Sequence, residues 1–110
     1  MTISDKEALS AEEVQRRLAE LPEWKQQDKA IVRVQTFPSY KDALDFVYQV
    51  GLAAESNDHH PDIVMNFKRV EVRYWTHTAR GVTALDFKMA KVVEGLVQQF
   101  YRPKTTAPAR

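Results

Sequence analysis

The chain contains no cysteine. Disulfides, thiolate nucleophiles and sulfur-rich zinc sites are excluded together, and the absence suits a reducing compartment. An excess of either charge is also missing, since 16 basic and 15 acidic residues leave a net charge of +1. Nucleic-acid backbones and anionic membrane surfaces are held by one-sided fields, so neither is an expected partner. Nowhere does an apolar run reach the roughly 18 residues that a membrane-spanning helix needs. The first seven residues have no apolar core of the kind a signal peptide carries, and the expected address is the cytoplasm. Histidine is scarce as well: the chain has three, at positions 59, 60 and 77.

What is present is ordinary globular material, 110 residues with 44% apolar and 28% charged side chains. That length supports one hydrophobic core. A single domain is expected over 9–101, after a flexible N-terminus at 1–8. The tail at 102–110 holds two prolines and no apolar anchor, the pattern of a disordered end.

Ser10-Ala11-Glu12-Glu13 reads as a capping box, with the Ser10 hydroxyl on the Glu13 amide and the Glu13 carboxylate returning to the Ser10 amide. Leu9 and Val14 have staple spacing, and Val14, Leu18 and Leu21 extend the apolar stripe until Pro22 stops the helix. Trp24–Gln27 and Ala30–Thr36 flank a short turn, the second segment alternating with Ala30, Val32 and Val34 on one face. Ser39-Tyr40-Lys41-Asp42 is a second capping box, from which Ala43, Phe46, Val47, Val50 and Ala54 recur at helical spacing to about Glu55 or Ser56.

Pro61 disfavours helical geometry at His60, so the histidine pair falls at a helix-to-strand junction, and Ile63, Val64, Met65 and Phe67 continue as extended chain. From Arg69 to His77, Val70, Val72 and Tyr74 share one face while Arg69, Glu71, Arg73, Trp75 and His77 share the other. Gly81 permits a tight entry to a third helix, opened by Thr83-Ala84-Leu85-Asp86 with Val82 and Phe87 as its staple. Leu85, Met89, Val92, Val93, Leu96 and Phe100 are its expected buried stripe. The order α-β-β-α-β-β-α predicts an α+β sandwich, a four-stranded antiparallel sheet with three helices packed on one face. Its open face and edges predict assembly of two or more subunits.

Three chemistries suit the histidine cluster. One imidazole can cap the helix end; imidazoles can ligate a metal, although the adjacent pair lacks the i, i+4 spacing of two ligands on one helical face; or they can move protons without a metal. Imidazole suits the last because both of its forms exist near neutrality, and crowding keeps one of two neutral as base while the other stays charged as acid. Glu55 and Asp58 read equally as solvated helix-end groups or as carboxylates that orient an imidazole. Asp86 reads first as the capping partner of Thr83, a role compatible with a site. Trp75 suits an interface or the stacking of a flat heterocycle, and Arg69, Glu71 and Arg73 a mixed solvated or interface face.

The spaced set Glu55-x3-His59-His60-Pro61-x5-Phe67-x9-His77-x8-Asp86 resembles the signature of the pterin-4a-carbinolamine dehydratases. The resemblance extends as a general pattern from about Leu9 to Phe100. It implies the same sheet and helices, in a homodimer or homotetramer, and a reaction in which 4a-hydroxytetrahydrobiopterin loses water to give quinonoid dihydropterin. That reaction recycles the cofactor of aromatic amino acid hydroxylases. By position, His59, His60 and His77 resemble the catalytic and pterin-binding histidines, and Glu55, Asp58, Pro61 and Asp86 the supporting or substrate-binding residues. No metal and no organic cofactor is implied. Tyr74-Trp75 is bulkier than expected before the Thr-His step, and Arg80 stands where the loop is often glycine. Some members of that family act as dimerisation partners of a transcription factor, so a non-catalytic binding protein is the alternative.

Overall fold

The computed structural model describes residues 5–100. Helix α1 (Ala11–Leu18) is followed by strands β1 (Trp24–Gln27) and β2 (Ala30–Thr36), helix α2 (Tyr40–Asn57), strands β3 (Asp62–Asn66) and β4 (Arg69–Tyr74), and helix α3 (Ala84–Phe100). The four strands form one antiparallel sheet in the order β1-β2-β4-β3. The fold is the expected α+β arrangement in the expected order. The ends expected to be flexible or disordered lie outside the described residues at 1–4 and 102–110. Within the described part, the Leu9 amide is bonded to the Val82 carbonyl at 2.8 Å.

Helix starts follow local chemistry. Ser10 and Ser39 sit in extended geometry and accept from the Glu13 and Asp42 amides at 3.1 and 3.0 Å, satisfying donors that a helix leaves unpaired. Only half of the first capping box forms: the Glu13 carboxylate binds Arg16 and Arg17 one turn on instead of returning to Ser10. α1 also ends four residues before Pro22, its last turn tightening through Leu21 N to Leu18 O at 2.9 Å.

Which sheet face is inward follows from register, because residues opposite one another share a face. Ile31 pairs with Tyr74, Arg33 with Val72 and Gln35 with Val70, so Ile31 and Arg33 face the helices beside the buried Val70, Val72 and Tyr74. The alternation Ala30, Val32, Val34 therefore marks the open face, and Val34 remains 38% exposed. Arg33 is admitted to the core because its Nε meets Glu94 Oε2 of α3 at 2.6 Å, and the same oxygen accepts from Trp24 Nε1 at 2.7 Å. Burying a charge without such a partner would cost several kcal/mol.

The helices close the core with Val14 and Leu18 from α1, Ala43, Phe46, Val50 and Ala54 from α2, and Phe87, Met89, Ala90, Val93 and Val97 from α3. On α3 the buried stripe is rotated from the expected one, with Leu85, Val92, Leu96 and Phe100 only partly covered at its margins. Phe67, expected as strand, instead occupies the β3–β4 turn at φ 56, largely exposed. On α2, Tyr40, Leu44, Tyr48 and Leu52 lie exposed at intervals of four residues.

Candidate active site

The last turn of α2 and the first turn of α3 meet at the end of β4. Asp58 turns the chain out of α2 in the left-handed region (φ 51, ψ 42), which Asp tolerates better than most residues. The His59 amide then bonds to the Ala54 carbonyl at 3.1 Å, closing the helix in a Schellman-type turn. The backbone of His59 thus caps the helix while its ring is free for other work. Pro61 follows His60 and leads into β3.

The ring of His59 points at α3. Its Nε2 lies 2.6 Å from Asp86 Oδ1, with the histidine side chain 13% exposed and the aspartate fully buried. Asp86 Oδ2 accepts from the Thr83 amide at 2.8 Å and from the Thr76 hydroxyl at 2.9 Å. The carboxylate therefore completes the helix cap expected of it and holds an imidazole with its other oxygen. Tyr74 stacks under His59, ring centroids 5.3 Å apart, and its hydroxyl donates to the His59 carbonyl at 3.1 Å. Burial, and secondarily the Asp86 charge, push the Tyr74 phenol well above its ordinary value.

His60 turns the other way, to Glu55 Oε1 at 2.6 Å, in a pair whose side chains are 54% and 78% exposed. Exposed pairs of this kind contribute about 0–1 kcal/mol. Asp58 is not the carboxylate that either histidine binds; it shapes the turn and lines the cleft. His77 lies beyond the Thr76–Gly81 bridge that extends β4, and its ring stacks on Trp75 with centroids 4.0 Å apart. The left-handed residue of that loop is Arg80 (φ 57), not Gly81.

Asp58, His59, His60, Trp75, Thr76 and His77 line one open cleft of about 320 Å³. The structure thus brings all three histidines to one opening, with Glu55 and Asp86 behind two of them and Pro61 in the connecting turn. Two roomier hollows, about 400 and 470 Å³, lie on the open sheet face and contain no histidine. Chemistry, not volume, selects the smaller cleft. Among the described residues no three His, Asp or Glu side chains converge as a set of metal ligands. Thr76, Thr83 and Tyr74 were not singled out as site residues from the sequence; the Thr83-to-Asp86 spacing was the available signal for one of them.

Fold and cleft together define a small α+β domain with a histidine-lined cleft at the junction of two helix ends. The chain belongs to the pterin 4 alpha carbinolamine dehydratase family, whose model matches residues 7–96. It is 42% identical over 94 residues to a protein of Afipia carboxidovorans, covering 84% of this chain and 94% of that one. It is 41% identical over 93 residues to one of Chlorobaculum tepidum, covering 81% and 84%. Both carry the provisional name pterin-4-alpha-carbinolamine dehydratase. Among solved structures, a transcriptional coactivator/pterin dehydratase from Brucella melitensis matches with a TM-score of 0.78 at 36% identity, covering 81% of this chain and 97% of that one. A pterin dehydratase-like protein described as a RuBisCO assembly factor in the alpha-carboxysome shares the fold, with a TM-score of 0.58 at 17% identity over 68% of this chain and 87% of that one.

Proposed function

We propose that the protein dehydrates 4a-hydroxytetrahydrobiopterin to quinonoid dihydropterin by metal-free histidine acid/base catalysis, recycling the pterin cofactor of aromatic amino acid hydroxylases in the cytoplasm. The observation that carries the reading is the 2.6 Å contact of His59 with the buried Asp86, at the back of a cleft that His77 also lines. The reaction needs two proton transfers. The 4a-hydroxyl accepts a proton from an imidazolium and leaves as water, while N5 gives its proton to a neutral imidazole as the C4a–N5 double bond forms. His59 and His77 are the pair best placed to divide these steps, with His60 and Glu55 at the rim. Each well-placed acid or base contributes about 10²–10⁴-fold. Asp58 and Pro61 shape the turn that presents the histidines to the pterin.

The test generates the carbinolamine in situ with a hydroxylase and follows quinonoid dihydropterin by stopped-flow absorbance. Wild type should exceed the spontaneous rate clearly, with His59→Ala and His77→Ala each falling by about 10²-fold or more. A wild type no faster than the uncatalysed reaction sinks the reading.

The exposed row Tyr40, Leu44, Tyr48 and Leu52 supports a second part of the proposal, that the chain assembles as a homodimer or homotetramer. About an antiparallel two-fold axis, each tyrosine of this row meets a leucine of the other copy. Gly51, within the same helix and with open space where a Cβ would stand, suits close approach of a neighbouring helix. The same row favours the alternative of docking another protein. Sedimentation of the purified protein and of Leu44→Glu separates the two: self-assembly predicts a multimer that the substitution breaks.

A further inference from the structure

The two oxygens of Asp86 have different duties, and the difference reaches His59. Oδ2 takes the Thr83 amide at 2.8 Å and the Thr76 hydroxyl at 2.9 Å, leaving Oδ1 to the imidazole at 2.6 Å. A hydroxyl can give its hydrogen once. Thr76 gives its hydrogen to Asp86, so the 2.7 Å contact between the two threonine hydroxyls is donated by Thr83. The Thr83 oxygen in turn accepts from the Leu85 amide at 3.2 Å. The bonds therefore run in one direction, from Leu85 N–H through Thr83 and Thr76 to Asp86.

All three side chains are buried, Thr83 and Asp86 at 0% exposure and Thr76 at 6%. The backbone of Thr76 is itself fixed, its amide bonded to the Gly81 carbonyl at 2.9 Å. With two donors on Oδ2 no proton sits on that oxygen, and the carboxyl plane cannot turn without breaking both bonds. With Asp86 in its ionised form Oδ1 accepts, so the hydrogen of the His59–Asp86 bond sits on Nε2 and Nδ1 is the ring nitrogen left over.

We propose that Thr76 is a positioning residue of the reaction: acting through Asp86, its hydroxyl holds His59 in the tautomer with hydrogen on Nε2 and Nδ1 presented to the pterin. The inference rests on His59 being a catalytic histidine, and Thr76 itself transfers no proton. Without its hydroxyl Asp86 keeps one firm donor at Oδ2 and gains freedom to turn, so the imidazole loses the contact that selects its tautomer. Thr83 sets a bound on the effect, because its hydroxyl lies 3.4 Å from Oδ2 and can redirect its hydrogen there.

The experiment reads the tautomer and the rate separately. Histidine ¹⁵N spectra at alkaline pH should show wild-type His59 with a protonated Nε2 and a bare Nδ1. Thr76→Val keeps the side-chain shape and removes the hydroxyl; it should give a mixed tautomer and a kcat lower by about tenfold, with KM within about twofold. Thr76→Ser restores the hydroxyl and should restore both readings, while T76V/T83V should deepen the loss. The proposal is overturned if wild-type His59 carries its hydrogen on Nδ1, a result that needs no variant to fold. It is equally overturned if Thr76→Val keeps the wild-type tautomer and kcat, or if Thr76→Ser fails as Thr76→Val does. A tautomer that shifts in Thr76→Val beside a wild type with no turnover leaves the control of His59 by Thr76 standing and removes the dehydratase reading.

Discussion

The indole of Trp75 lies against the imidazole of His77, ring centroids 4.0 Å apart and planes 29° from parallel. A ring stacked on an indole face covers it from water and alters its fluorescence. The indole covered in this way should change its emission in His77→Ala, which removes the covering ring. Trp24, the second of the two tryptophans, is buried elsewhere and should emit alike in both proteins. Identical spectra for wild type and variant would show that the stack does not persist in solution.

The Arg33–Glu94 pair gives a stability prediction. Glu94→Ala strands a guanidinium that is 5% exposed and should cost about 3 kcal/mol in urea unfolding, the lower end for a broken buried pair because Glu94 keeps some contact with solvent. Replacing both residues by methionine removes the stranded charge and should recover most of that loss. A double variant no better than the single one would mean that the ion pair contributes more than the removal of its own desolvation cost.

Tyr74 fixes the alkaline limit. In the unfolded chain a tyrosine ionises near about pH 10, whereas the folded environment holds this phenol neutral to well above that. The unfolded state then binds fewer protons than the fold above pH 10, so stability falls as pH rises. Below pH 10 the phenol is neutral in both states and its contribution is unchanged. Unfolding midpoints measured from about pH 9 to 12 should decline, and the decline should be shallower in Tyr74→Phe.

The loop after His77 makes an asymmetric pair. Arg80 occupies the left-handed region at φ 57, while Gly81 has no positive φ and open contact at 3.5 Å where a Cβ would meet Ala8. Arg80→Gly should therefore raise stability by up to about 1 kcal/mol, and Gly81→Ala should stay within about 0.5 kcal/mol. Thermal melts of the two variants decide it.

Much of this was legible in the sequence because it is local. Three capping signals, the proline after His60 and the alternation from Arg69 to His77 depend on residues a few positions apart, and they placed the three helices and the second strand pair. The inward face of β2 was not legible. An arginine beside Ile31 reads as solvated until a glutamate 61 residues away turns out to neutralise it. The site divides in the same way. Spacing brought the histidines to a helix end and a strand end, but Asp58, their nearest acid in sequence, is a turn residue, and the acid that binds His59 is 27 residues distant. Long-range pairing carries no local periodicity, so the choice among Glu55, Asp58 and Asp86 had to wait for the fold.

Asp86 also ties a helix start and the His59 ring to one carboxylate. Its Oδ2 accepts a backbone donor at the start of α3, while the His59 amide closes the end of α2. A substitution that loosens either helix terminus disturbs the His59–Asp86 contact at once, and one that alters the contact loosens a terminus. The His60–Glu55 pair is exposed and tied to no such terminus contact, so a change there leaves both helix ends as they are.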